Sequence, residues 1–118
     1  MSKLSRQRGQ TYEREICKEF KDKTPYKEVK RHLEFQKEEA REGRDLDNTG
    51  VFAVQCKRGR KYANPNKIEE VNRPDLIPLL ITRADNKHSI ACLYLDDLFD
   101  LLYNWRSAPS ESKPDFLN

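Results

Sequence analysis

Four polar side chains near the middle of the chain are spaced for joint chemistry. The text GRDLD is followed by Asn48-Thr49-Gly50, which is turn chemistry, and then by VFAVQCKRG, which is rich in strand formers. Side chains alternate along a strand, so Val51, Ala53, Gln55 and Lys57 share one face and Phe52, Val54, Cys56 and Arg58 the other. Gln55 and Lys57 are then roughly 7 Å apart along the strand. A hairpin centred on Asn48 and Thr49 pairs Asp45 near Ala53 and Asp47 near Val51. In that register a carboxylate, an amide oxygen and an amine converge, which makes a candidate hard-cation site with a lysine beside it. A solvated polar sheet face is the plain alternative. Against it, Val51 and Ala53 place apolar residues around the polar island.

These residues need a scaffold. Residues 10–22 read as an amphipathic helix, with Tyr12, Ile16 and Phe20 on one stripe and Pro25 as its stop. Glu13, on the edge of that stripe, is placed to reach the sheet when the helix docks. KEVKRHLEF alternates as a short strand, and QKEEAREG (36–43) reads as either a helical turn or a loop. After the hairpin, GRKYANPN breaks structure and KIEEVNR makes a short helix. LIPLLITR is a buried strand, SIACLYL a returning strand, and DDLFDLLYNW a closing helix with Asp96 or Asp97 at its start. The order α, β, β, β, α, β, β, α predicts an α/β fold, a central mixed sheet flanked by helices. Residues 1–105 make one domain and residues 106–118 a flexible tail.

Composition narrows the class. The chain has 118 residues, 36% of them charged and 36% hydrophobic, with ten Phe and Tyr and one Trp. No apolar run approaches the roughly 18 residues of a membrane span, and MSKLSRQRGQ lacks the apolar segment of a secretory signal. Cys17, Cys56 and Cys92 lie far apart, and His32 and His88 each stand alone, so neither a disulfide framework nor a zinc cluster is expected. The expectation is an intracellular, cytoplasmic domain without membrane contact. Net charge is +3, but residues 89–118 hold five acidic against two basic residues, leaving +6 on the first 88. The basic run Lys57–Lys61 and the basic N-terminus attract phosphate.

GQTYERE, GRDLD and VFAVQCKRG, in that order, resemble the motifs of the PD-(D/E)XK nuclease superfamily, within it the phage and archaeal-type Holliday junction resolvases. The VQCKR wording also resembles the Mrr-type endonucleases, where Gln replaces the motif Glu. The resemblance covers most of residues 5–103 and implies a restriction-endonuclease-like αβββαβ(βα) core. It implies a Mg²⁺- or Mn²⁺-dependent DNA endonuclease, cutting branched DNA as a homodimer in recombination or repair for a phage or mobile element. Glu13, Asp45 and Gln55 would then hold the metal with the Cys56 backbone carbonyl, and Lys57 would position the attacking water. Arg6, Arg8, Arg31, Arg58, Arg60 and Lys61 would hold DNA phosphates. Asp47 in place of Asp45 and Glu15 in place of Glu13 stay open. Gln55 removes one negative charge from the site, so another nuclease, or a DNA-binding module without catalysis, is the alternative. Phe99, Tyr103 and Trp105 are the candidate dimer contacts.

Overall fold

The computed structural model describes residues 3–33 and 43–107, with the side chains of 7–33 and 43–105. Its elements are α1 (Lys3–Lys23), β1 (Lys30–Arg31), β2 (Leu46–Asp47), β3 (Phe52–Gly59), a 3₁₀ helix (Pro65–Glu70), β4 (Ile77–Ala84), β5 (Ile90–Cys92) and α2 (Leu95–Ser107). The result is a small α/β domain with a mixed three-stranded sheet and helices. Strands β3, β4 and β5 are adjacent in that order, β3 parallel to β4 and β4 antiparallel to β5.

Helix α1 begins seven residues earlier than the apolar stripe requires, because Lys3, Leu4, Arg6, Gln7 and Arg8 are good helix formers and the single Gly9 costs only about 1 kcal/mol. It ends where expected. Thr24 caps it by donating both its amide (3.0 Å) and its hydroxyl (2.6 Å) to the Phe20 carbonyl, one residue before Pro25.

The expected alternation along β3 sets the layers. Val54 and Cys56 pack with Tyr12, Ile16 and Cys17 of α1, joined by Leu79 of β4, while Phe52 and Ile81 flank them. The opposite face buries Ala53 and Gln55 beside Leu80 and Thr82, with Ile68 of the 3₁₀ helix also buried. Removing one such aliphatic side chain from water stabilises by about 1.5–3 kcal/mol. Asn64 starts the 3₁₀ helix by accepting from the Asn66 amide at 2.9 Å, with Pro65 at its first position. The segment from Gly59 to Ile77 is long enough to return to the starting end of β3, which a parallel neighbour demands. Pro78 is tolerated inside β4 because β5 covers only Leu80–Thr82.

The hairpin expectation needs correction. β2 pairs with β1 in a separate antiparallel ribbon, Lys30 opposite Asp47 and Arg31 opposite Leu46. Its link to β3 is the Asp45 amide donating to the Val54 carbonyl at 2.7 Å, not an Asp45–Ala53 pairing. The cause is the turn. Asn48 (φ 66°) and Gly50 (φ 68°) both take left-handed conformations, which widens the loop to residues 48–51. The strand expected over KEVKRHLEF is only two residues long. Residues 36–42 of QKEEAREG and 108–118 of the tail lie outside the described residues, and α2 continues to Ser107, beyond the expected boundary at 105.

Candidate functional site

Asp45 reaches β3 at the edge opposite β4. Its Oδ2 accepts the Cys56 backbone amide at 2.7 Å, and its own carbonyl accepts the His32 amide at 2.8 Å. A strand residue sends its N–H and C=O to the same edge, so the Cys56 carbonyl also projects toward Asp45.

Gln55 and Lys57 lie on the face away from α1, as alternation predicts. With Asp45 they line one cleft of about 400 Å³, together with His32, Arg44 and Glu70. Gln55 is 2% exposed. Its Nε2 donates to Glu70 Oε1 at 3.3 Å, and its Oε1 is buried with no hydrogen-bond donor among the described residues. A buried acceptor without a donor costs about 1–3 kcal/mol, a cost that a cation or a water on Oε1 would remove. Glu70 also accepts from Lys67 at 3.0 Å, and that bond holds its carboxyl below the usual carboxylate range. Asp45, Gln55 and Glu70 therefore put oxygen donors around one cleft with a lysine beside them. That chemistry fits a hard divalent cation. Among the described residues no three His, Cys, Asp or Glu side chains form a metal cluster, so the amide oxygen and a backbone carbonyl are needed to complete one.

The other expected site residues do not line this cleft. Glu13 accepts a hydrogen bond from Arg31 Nε at 2.9 Å, both side chains mostly buried, so a proposed ligand and a proposed phosphate contact are paired with each other. Glu13 is still electrostatically close to the centre. Burial first, then the Asp45 and Glu13 charges, push the Cys56 thiol well up. Asp47 meets His32 Nδ1 at 2.7 Å and Arg44 at 3.4 Å. Glu15 points to Arg83 at 3.7 Å. Arg8 and Arg58 line a different pocket, against α1, and Arg60 and Lys61 are exposed just past β3. The Arg6 side chain lies outside the described residues.

Glu70 and Arg83 escaped the sequence reading. The signal for Glu70 was a carboxylate at the end of the Asn64-Pro65-capped turn, and for Arg83 a cation at the end of LIPLLITR. Both become site residues only once β4 is known to run parallel beside β3. Comparison with protein-family models, with curated proteins and with solved structures finds no match to this chain.

Proposed function

We propose that this chain is a metal-dependent DNA endonuclease that hydrolyses phosphodiester bonds, most closely resembling a Holliday junction resolvase in its motifs. The observation that carries this reading is the buried, donorless Gln55 Oε1 in one cleft with Asp45 and Lys57. Asp45, Gln55 and the Cys56 carbonyl would hold Mg²⁺ or Mn²⁺, with Glu70 on the cleft wall as a further carboxylate. Bound there, the cation would supply Lewis-acid stabilisation of the attacked phosphate and hydroxide near neutral pH. Lys57 orients the incoming water and offsets the negative charge that builds on the phosphate oxygens. Glu13 of α1, held by Arg31, would join the metal ligands only if a DNA phosphate took its place on that guanidinium.

Two symmetric cuts in a junction need two active sites, which supports a homodimer. Helix α2 favours it. Leu95, Phe99 and Tyr103 are 61%, 56% and 72% exposed, more apolar surface than a lone helix leaves to water. Among the described residues no helix is long and apolar enough to cross a membrane.

The Glu13–Arg31 pair favours a second reading, a DNA-binding module whose metal site is retired, because it neutralises a carboxylate the metal needs. Cleavage of labelled four-way junction, duplex and single-stranded DNA with Mg²⁺, Mn²⁺ or EDTA separates the two. Metal-dependent cutting of the junction that disappears in Lys57→Ala is the expected result. Binding without cutting under either metal would leave the second reading.

A further inference from the structure

Arg58 and Arg83 are register partners on the parallel strands β3 and β4. Paired residues on adjacent strands project to the same face about 4.8 Å apart, so two guanidinium side chains leave the sheet together. Their neighbours fix the face. Cys56 and Ile81, two residues earlier on each strand and also partners, pack toward α1. Arg58 and Arg83 accordingly open into a pocket of about 520 Å³ beneath α1, where Arg8 adds a third guanidinium and Gln7 and Tyr12 add polar atoms.

Like charges opposite each other on neighbouring strands destabilise a sheet. The carboxylates nearby compensate weakly. Arg58 reaches Asp85 at 3.4 Å and Arg83 reaches Glu15 at 3.7 Å, both long for charge-assisted hydrogen bonds. Arg83 Nε also donates to the Lys87 carbonyl at 3.2 Å, which helps hold its guanidinium in place. Of the charged groups lining the pocket, three are cationic and Glu15 alone is anionic.

We propose that Arg58 and Arg83, with Arg8, clamp a backbone phosphate of the bound DNA in this pocket, on the sheet face opposite Lys57. Two planar forks side by side match the oxygens of a tetrahedral anion, and an anion between them removes the repulsion. Lys57 and Arg58 are consecutive, so the two faces meet at the carboxyl end of the parallel pair, where open α/β sheets bind ligands. A nucleic-acid strand carries a charge every ~3.4 Å of helix axis, so one backbone crossing that end presents phosphates to both faces. The inference rests on the nucleic-acid part of the proposed function and is independent of catalysis.

The test is fluorescence anisotropy of labelled duplex and four-way junction with the full chain in EDTA, across a series of salt concentrations. Arg83→Gln and Arg58→Gln are expected to weaken binding roughly tenfold and to lower the salt slope by about 1, equally for every sequence. Arg83→Lys keeps the charge and should keep the slope. Thermal melts of the free protein give a second readout, because relief of repulsion predicts that Arg83→Gln does not lower Tm. An unchanged slope in both Gln variants overturns the clamp, and a lowered Tm with unchanged slope assigns the pair to structure instead. Inorganic phosphate is titrated in parallel. If it binds as tightly as the duplex, the pocket serves a free anion and the DNA clamp falls. The nuclease reading is judged separately, by metal-dependent cleavage and its loss in Lys57→Ala, so DNA binding that depends on these arginines without any cutting would keep the clamp and remove the enzyme.

Discussion

The Cys56 amide donates to Asp45 Oδ2 at 2.7 Å, so the carboxylate takes the place of a neighbouring strand at the open edge of β3. One side chain thus finishes the sheet and contributes an oxygen to the cleft beside Gln55 and Lys57. Structural and chemical roles are separable by substitution, because an amide can accept the same hydrogen bond but brings no charge.

Asp45→Asn should therefore fold with a loss of about 1 kcal/mol, while Asp45→Ala strands the Cys56 amide and costs about 1–3 kcal/mol. Both should cut DNA at least ~100-fold more slowly than the parent. Thermal melts beside single-turnover cleavage read the two effects. Equal melting temperatures for Asn and Ala would mean that the bond to Cys56 contributes nothing to the fold, and cleavage at the parental rate by Asp45→Asn would exclude Asp45 from the metal site.

Gln55 should show opposite effects on stability and activity. Gln55→Leu removes the donorless Oε1 and loses only the 3.3 Å bond to Glu70, so its stability should equal or exceed the parent's while cleavage disappears. Gln55→Glu buries a second carboxylate beside Glu70 and should cost roughly 3 kcal/mol in EDTA. Millimolar Mg²⁺ should return most of that loss and raise Tm further than it does for the parent. Melts with and without metal decide it. A Mg²⁺ effect of the same size in parent and Gln55→Glu would show that position 55 does not face the ion.

The face alternation along β3 was readable because each residue's polarity agrees with its surroundings: Val54 and Cys56 meet α1, while Gln55 and Lys57 do not. The element order was readable for the same reason, each turn carrying its own chemistry at Pro25, Asn48-Thr49-Gly50 and Asn64-Pro65. Register was not. Whether Asp45 meets Ala53 or Val54 depends on how far Asn48 and Gly50 open their turn, and local text does not carry that geometry. The arrivals of Glu70 and Arg83 were hidden more deeply, since they follow from the parallel pairing of β3 with β4, a contact between segments separated by the whole 3₁₀ connection. Arg31 and Glu13 each looked like a site residue alone, and nothing in either local pattern shows that they pair.

Gly43 supports the cleft from behind. It adopts φ +75°, and a Cβ there would run into the backbone carbonyl of Glu70 and the Cα of Val71. Gly50, at φ +68°, would instead meet the Tyr26 ring, a partly exposed side chain that can swing aside. Both alanine variants carry a conformational cost of about 1–3 kcal/mol, but only Gly43→Ala must also move backbone. Gly43→Ala should be the less stable of the two in urea unfolding, and its cleavage should need more Mg²⁺, because Glu70 shifts. A reversed order of stability would deny the contact.

Cys56 offers a pH readout of the same centre. Burial, then the charges of Asp45 and Glu13, raise its thiol, and burial raises that of Cys17. A folded thiol that holds its proton more tightly than the unfolded one adds stability below the ordinary value of about 8.5. That stability is lost as pH rises toward the folded value. The protein should therefore weaken as pH rises above about 8.5, and Cys56→Ser, which does not ionise there, should flatten this part of the profile. At pH 8 a thiol reagent should label the half-buried Cys92 first and reach Cys56 only as the fold opens, read by peptide mass spectrometry. Asp45→Asn weakens the bond that holds the Cys56 amide, so Cys56 should label faster in that variant in proportion to the stability lost. Labelling of Cys56 at the parental rate in Asp45→Asn would show that the bond from the Cys56 amide to Asp45 does not hold the centre of β3 closed.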